Sequence, residues 1–143
     1  MVENNSNRLF EVMRRVNNLN ENVLPVERKN EIIEEFVAYV LDYLELKIRP
    51  KIIITYKDGI AANQLSFGKF MSYEDTIEIV GKNRNLADIL RTLAHEIVHF
   101  KQKLNSELNI NSGEDGSEQE NEANSMAAVI MRKFGKKYPL IFE

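Results

Sequence analysis

Apolar residues recur every three or four positions in two stretches at the front of the chain. The first holds Leu9, Phe10, Met13, Val16 and Leu19, and the second Ile32, Ile33, Phe36, Val37, Val40, Leu41 and Leu44. This spacing predicts two amphipathic helices within residues 8–46. Pro25 precedes the second, where a first helical position tolerates its missing N–H. Beyond Pro50 the period changes: Ile52, Ile53 and Ile54, bounded by Asp58 and Gly59, predict a buried strand. Two further strands are expected over residues 65–70 and Thr76–Val80. The polar residues 72–75 between them have the composition of a hairpin loop, so a small antiparallel or mixed sheet follows.

The helical period then returns. Leu86, Leu90, Leu93, Ile97, Phe100 and Leu104 fall on one stripe, with Asn85 as N-cap and Asp88 in the first turn, which predicts a helix to about residue 105. Residues 111–117 carry Gly113 and Gly116 among polar residues and read as an exposed loop. Ser117 with Glu120 three positions on matches a capping box. Arg132, Lys133, Gly135 and Pro139 supply stop signals, so a further helix is expected over 118–134. Helices flanking a small sheet, with no repeat and no linker, make one α+β domain spanning residues 1–143: N-terminal helices over 8–46 and a core over 51–139.

Composition narrows the chemistry. The chain contains no Cys, which excludes a disulfide framework, a thiol nucleophile and any Cys-based zinc finger, so a bound metal would need His and carboxylate ligands. Nineteen Lys and Arg against twenty-two Asp and Glu give a net charge of −3, without the basic surplus that a nucleic-acid partner would require. No apolar run approaches the ~20 residues of a membrane span, and residues 1–7 are polar with no secretory pattern behind them, so a cytoplasmic location is expected. Lys101, Lys103, Lys133, Lys136 and Lys137 read as solvated helix ends, and Phe67 and Phe70 as core or cleft wall.

The chain's two histidines stand at His95 and His99, in the run His95, Glu96, Ile97, Val98, His99. Imidazoles four positions apart lie about 40° apart around a helix, so both can grip one Zn²⁺. Glu96 occupies the neighbouring angle, suited to act as a base on metal-activated water rather than as a ligand. The third ligand has to be a carboxylate, and the next helix offers Glu120 and Glu122. Glu120 is favoured because Ala123, Asn124 and Ala127 share its face and would let the two helices approach closely, with Asn124 placed to orient a ligand. The competing role for Glu120 is completion of the capping box, in which case Glu122 inherits the metal.

Residues 90–102 around this motif resemble the active-site helix of gluzincin-type HExxH zinc metallopeptidases in their smallest form, the compact metallopeptidase-like proteins of tailed bacteriophages. The run Glu120, Asn121, Glu122, Ala123, Asn124 is similar to the glutamate helix of those proteins and of the ImmA/IrrE family. The resemblance covers roughly residues 65–139. It implies a zincin-like fold with zinc between the two helices and a peptide or protein substrate added in extended form to an edge strand, for which Thr76–Val80 is the candidate. It implies hydrolysis of a peptide bond, with Glu96 as general base and then general acid. If the gene is phage-borne, the location is the host cytoplasm. Asn124 departs from the Asp that many gluzincins place there. No third histidine remains for the oxyanion, which leaves Tyr73, Tyr138 and Arg91 as candidates. The alternative is a zinc-stabilised binding or regulatory module of the same fold that cleaves nothing.

Overall fold

The computed structural model describes residues 25–56, 68–71, 74–105 and 117–142. Its elements, in chain order, are helix α1 (Val26–Tyr43), strands β1 (Lys51–Thr55), β2 (Gly68–Met71) and β3 (Thr76–Val80), helices α2 (Leu86–Leu104) and α3 (Glu118–Lys137), and a 3₁₀ turn, Pro139–Phe142. The architecture is α+β. The helix expected around Leu9–Leu19, the loop residues 111–116, and Phe67 and Tyr73 lie outside the described residues.

Helix α1 follows Pro25, which is its N-cap and not its first turn. It closes well ahead of Pro50: Glu45 takes a left-handed φ of 58°, and the Leu46 N–H returns to the Leu41 carbonyl at 2.8 Å. Its apolar stripe, Ile32, Ile33, Phe36, Val37, Val40 and Leu44, is fully buried. Phe36 meets Phe134 of α3 edge-on, with ring centroids 4.9 Å apart.

The sheet is mixed, in the order β1, β3, β2. β3 runs parallel to β1, with Ile77 opposite Ile52, and antiparallel to β2, with Ile77 opposite Phe70. Thr76–Val80 is therefore the central strand, which corrects the expectation that it is the edge bordering a cleft. Thr76, Ile77, Ile79 and Val80 are all buried, as befits a strand with a neighbour on each side. β1 is an edge strand instead, with Ile53 37% exposed, so its three isoleucines are not the fully buried run the sequence suggested. The short β2 is the other edge.

Gly68 opens β2 against helix α2. A Cβ at this position would stand 2.3 Å from the Thr92 Cγ2 and 3.5 Å from the Glu96 Cγ. Only a residue without a side chain lets the strand backbone come this close. Thr92 cannot easily retreat, because its hydroxyl donates to the Asp88 carbonyl at 2.9 Å and accepts from Arg84 Nη2 at 2.6 Å. Arg84 also donates to the carbonyls of Val80 and Asp88, tying the end of β3 to the start of α2. Further along, Phe70 meets Phe100 edge-on and Lys103 pairs with Asp75 in the β2–β3 turn, so the hairpin lies along α2.

Helix α2 is the centre of the molecule. Asn85 caps it as expected, accepting from the Asp88 N–H at 2.9 Å. Its stripe from Leu86 to Phe100 is buried, whereas Leu104, the last member, is 41% exposed at the frayed end. Burial extends beyond the stripe to Glu96, His99 and Gln102, because α3 covers the face that the sequence left open. Helix α3 runs through Gly135, the expected stop, to Lys137. A Cβ on Gly135 would lie 2.2 Å from the Phe142 Cε2, so this glycine makes room for a ring folded back onto the helix and does not end it.

Replacing Arg84 by Ala removes three hydrogen bonds that join β3 to α2, two of them to backbone carbonyls. A loss of about 1–3 kcal/mol is expected, read as a lower urea midpoint at unchanged m-value.

Candidate metal centre

Helices α2 and α3 pack antiparallel. As contacts step back along α2 from His99 to His95, they step forward along α3 from Glu120 to Asn124. Ala123 and Ala127 are buried between the helices and allow the close approach that the sequence anticipated. At this crossing a single carboxylate meets both imidazoles: Glu120 Oε1 is 3.0 Å from His95 Nε2, and Glu120 Oε2 is 3.0 Å from His99 Nε2. Ser117 caps α3 by accepting from the Glu120 N–H at 3.1 Å, but both oxygens of the Glu120 side chain face the histidines. The backbone of Glu120 thus takes part in the cap while its carboxylate does not.

Glu122 takes a different place. Its Oε1 accepts from Gln102 Nε2 at 2.7 Å, and the same amide nitrogen donates to the Gln119 carbonyl at 3.0 Å. With the nitrogen committed to two acceptors, Gln102 Oε1 must be the acceptor that faces His99 Nδ1 at 2.7 Å. The proton of neutral His99 is therefore on Nδ1, and its Nε2 lone pair points at an oxygen of Glu120. Such a contact calls for positive charge, supplied either by a second proton on the ring or by a metal ion.

His95 faces the other oxygen of Glu120 at the same distance. Burial lowers its pKa despite the opposing pull of Glu120, His99 adds to the lowering, and a hydrogen bond to Asn124 partly restores it. A neutral imidazole oriented by an amide is the form in which histidine binds a metal. His95, His99 and Glu120 bring one donor atom each to within 4.8 Å of one another, and this group can hold a metal ion.

Glu96 lies on the sheet side of the same crossing, between α2 and Gly68. It is 8% exposed. Burial pushes its carboxyl up to about 7, with His99 opposing the shift and Glu120 adding to it. It makes no contact that would claim it as a further ligand of the His95–His99–Glu120 group.

The oxyanion candidates are not confirmed. Tyr138 is buried in the core, its ring 5.0 Å from that of Phe134, and so cannot reach the histidines. Arg91 pairs with Asp88 at 3.4 Å. Sequence reasoning overlooked Gln102 and the supporting role of Glu122. The signal for Gln102 was its spacing: at i+3 from His99 it shares that helical face.

Two outcomes are expected. Gln102→Leu leaves the His99 tautomer unfixed and should weaken divalent-metal affinity about 10- to 100-fold in calorimetric titration, whereas the exposed Glu122→Gln keeps an acceptor and should cost less. In metal-free protein, folded Glu96 holds its proton to about pH 7, while in the unfolded chain it releases it near pH 4.5. The folded state therefore binds more protons within that window, and this group's contribution to stability falls as pH rises through it. Glu96→Gln has no such slope. Measured with chelator by chemical denaturation, its stability relative to the natural protein should rise by at most about 3 kcal/mol between the two ends of the window. No protein-family model, curated protein or solved structure matches this chain.

Proposed function

We propose that the protein is a zinc-dependent peptide hydrolase of the gluzincin type, with His95, His99 and Glu120 as metal ligands and Glu96 as the proton-transfer group. The observation that carries this reading is the convergence of two imidazole Nε2 atoms on one carboxylate, each 3.0 Å from an oxygen of Glu120, with a buried acid beside them that is not needed as a ligand. A purely structural zinc site closes its coordination with protein and has no use for such an acid. All-nitrogen and oxygen donors in a chain without cysteine suit Zn²⁺. When bound, Zn²⁺ supplies Lewis acidity to a peptide carbonyl and lowers the pKa of water towards neutrality.

The remaining steps belong to side chains. Glu96 accepts the proton of the attacking water at its carboxylate and then gives it to the amine of the departing half, so the group ends as it began. Burial keeps its proton affinity close to neutral, where both transfers are possible; a bound cation's charge opposes that effect and favours the ionised base. Gln102 and Asn124 keep the two imidazoles in their ligating orientation. The backbone of β2 passes Glu96 at Gly68, so an extended substrate runs past β2 and not past the central strand β3.

The test combines metal analysis of the purified protein with digestion of a broad peptide library, with and without chelator. The natural protein should contain about one equivalent of zinc and cleave. Glu96→Gln should keep the metal and lose cleavage by several orders of magnitude, and His95→Ala should lose both. Cleavage by Glu96→Gln at an undiminished rate overturns the role of Glu96. Zinc without any cleavage assigns the chain to the silent binding or regulatory module.

A further inference from the structure

The groove between α2 and α3 does not end at the histidines. One turn back from His95 on α2, about 6 Å along the axis, stands Arg91, and one turn on from Asn124 on α3 stands Ala128. Beyond these residues the groove opens into a cavity of about 480 Å³, lined by Arg91, Arg132 and Lys136 together with Met131, Gly135 and Phe142. Among the described residues no acidic side chain lines it, in a chain whose net charge is −3. Among the described residues, Arg91 has a weak and exposed pair with Asp88, and Arg132 and Lys136 have no ion-pair partner. Three cationic side chains thus line one wall, and only one of them has a carboxylate partner.

The apolar part of the wall is specifically constructed. The 3₁₀ turn after α3 folds Phe142 back onto the helix, and Gly135 provides the space for its ring. The chain thus accepts a glycine inside a helix, a poor helix former, in order to hold a ring that remains 52% exposed. An exposed aromatic beside three guanidinium and ammonium groups matches a ligand that carries both a carboxylate and an apolar stem.

We propose that this cavity is a specificity subsite that binds a carboxylate-bearing residue of the substrate, a few residues from the bond that is cut. The carboxylate is held by Arg132 and Lys136 with Arg91, and the stem lies on Met131 and Phe142. The substrate class is then acidic peptides. This inference rests on the hydrolase reading for the word substrate, but the binding itself does not depend on catalysis.

The probe is a fluorescein-labelled decapeptide of Ala and Leu with one Glu, compared with its Gln counterpart, each with a free or an amidated C-terminus. Anisotropy is measured on Glu96→Gln protein loaded with zinc and on the same protein treated with chelator. The Glu peptide should bind about tenfold tighter than the Gln peptide, the factor expected for one charge-assisted hydrogen bond. If the C-terminal carboxylate is the group held, the Glu and Gln peptides should bind alike and amidation should weaken both about tenfold. Arg132→Glu with Lys136→Glu, both exposed on α3, should abolish the discrimination with only a small drop in Tm, which follows from negative charge near a helix C-terminus, and 0.5 M salt should weaken it. Equal binding of all four peptides, or discrimination that survives the charge reversal, overturns the subsite. Discrimination in a protein that cleaves nothing keeps the subsite and removes the hydrolase.

Discussion

Two helices in this protein are joined by a contact that cannot stand as drawn without a positive charge in its middle. Glu120 presents one oxygen to each of two imidazoles, and one imidazole has its only neutral proton engaged on the opposite side by Gln102. A proton or a metal ion has to occupy the gap. The rest of the architecture makes the gap small: Ala123 and Ala127 bring the helix axes together, the Ser117 cap fixes the first turn of α3, and the Arg84 bonds fix the start of α2. Among the described residues no buried side-chain polar atom lacks a hydrogen-bond partner, so the network around this contact is complete.

The division of labour between two glutamates follows from helical phase. Glu120 and Glu122 are two positions apart and so lie on different sides of α3. The first reaches the Nε2 atoms and the second reaches the far end of Gln102. The amide stands between Glu122 and His99, accepting from the ring and donating to the carboxylate, so negative charge is felt at the imidazole without a second carboxylate beside its Nε2. Among the described residues Glu96 has no such support. Its neighbours are the strand backbone at Gly68 and the helix interior, which leaves its carboxyl close to the boundary between its two protonation states.

Much of the site was legible because its information is local. The spacing of His95, Glu96 and His99 along a helix, the caps at Asn85 and Ser117, and the small residues beside Glu120 are all relations within a few positions, where geometry follows from 3.6 residues per turn. Strand order was not legible. A five-residue apolar run reads alike at the centre of a sheet and at its edge, and the parallel pairing of Lys51–Thr55 with Thr76–Val80 joins segments that share no sequence signal. The role of Gly135 was hidden for a related reason: a glycine near a helix end looks like a stop until the ring that lies against it is known.

The central position of β3 also bears on how the chain reaches this structure. β2 and β3 are joined by four residues, Met71 pairing with Thr76, and the hairpin rests on the helix that follows it. These contacts are close in sequence and can form early. β1 must return across the whole of residues 56–75 before it finds its partner, so its closure entropy is met late and against a surface already in place. The helix that carries both histidines and the strand beside its buried acid therefore belong to the part of the fold built from local contacts. The outer isoleucine strand is the last piece to dock and the first to fray.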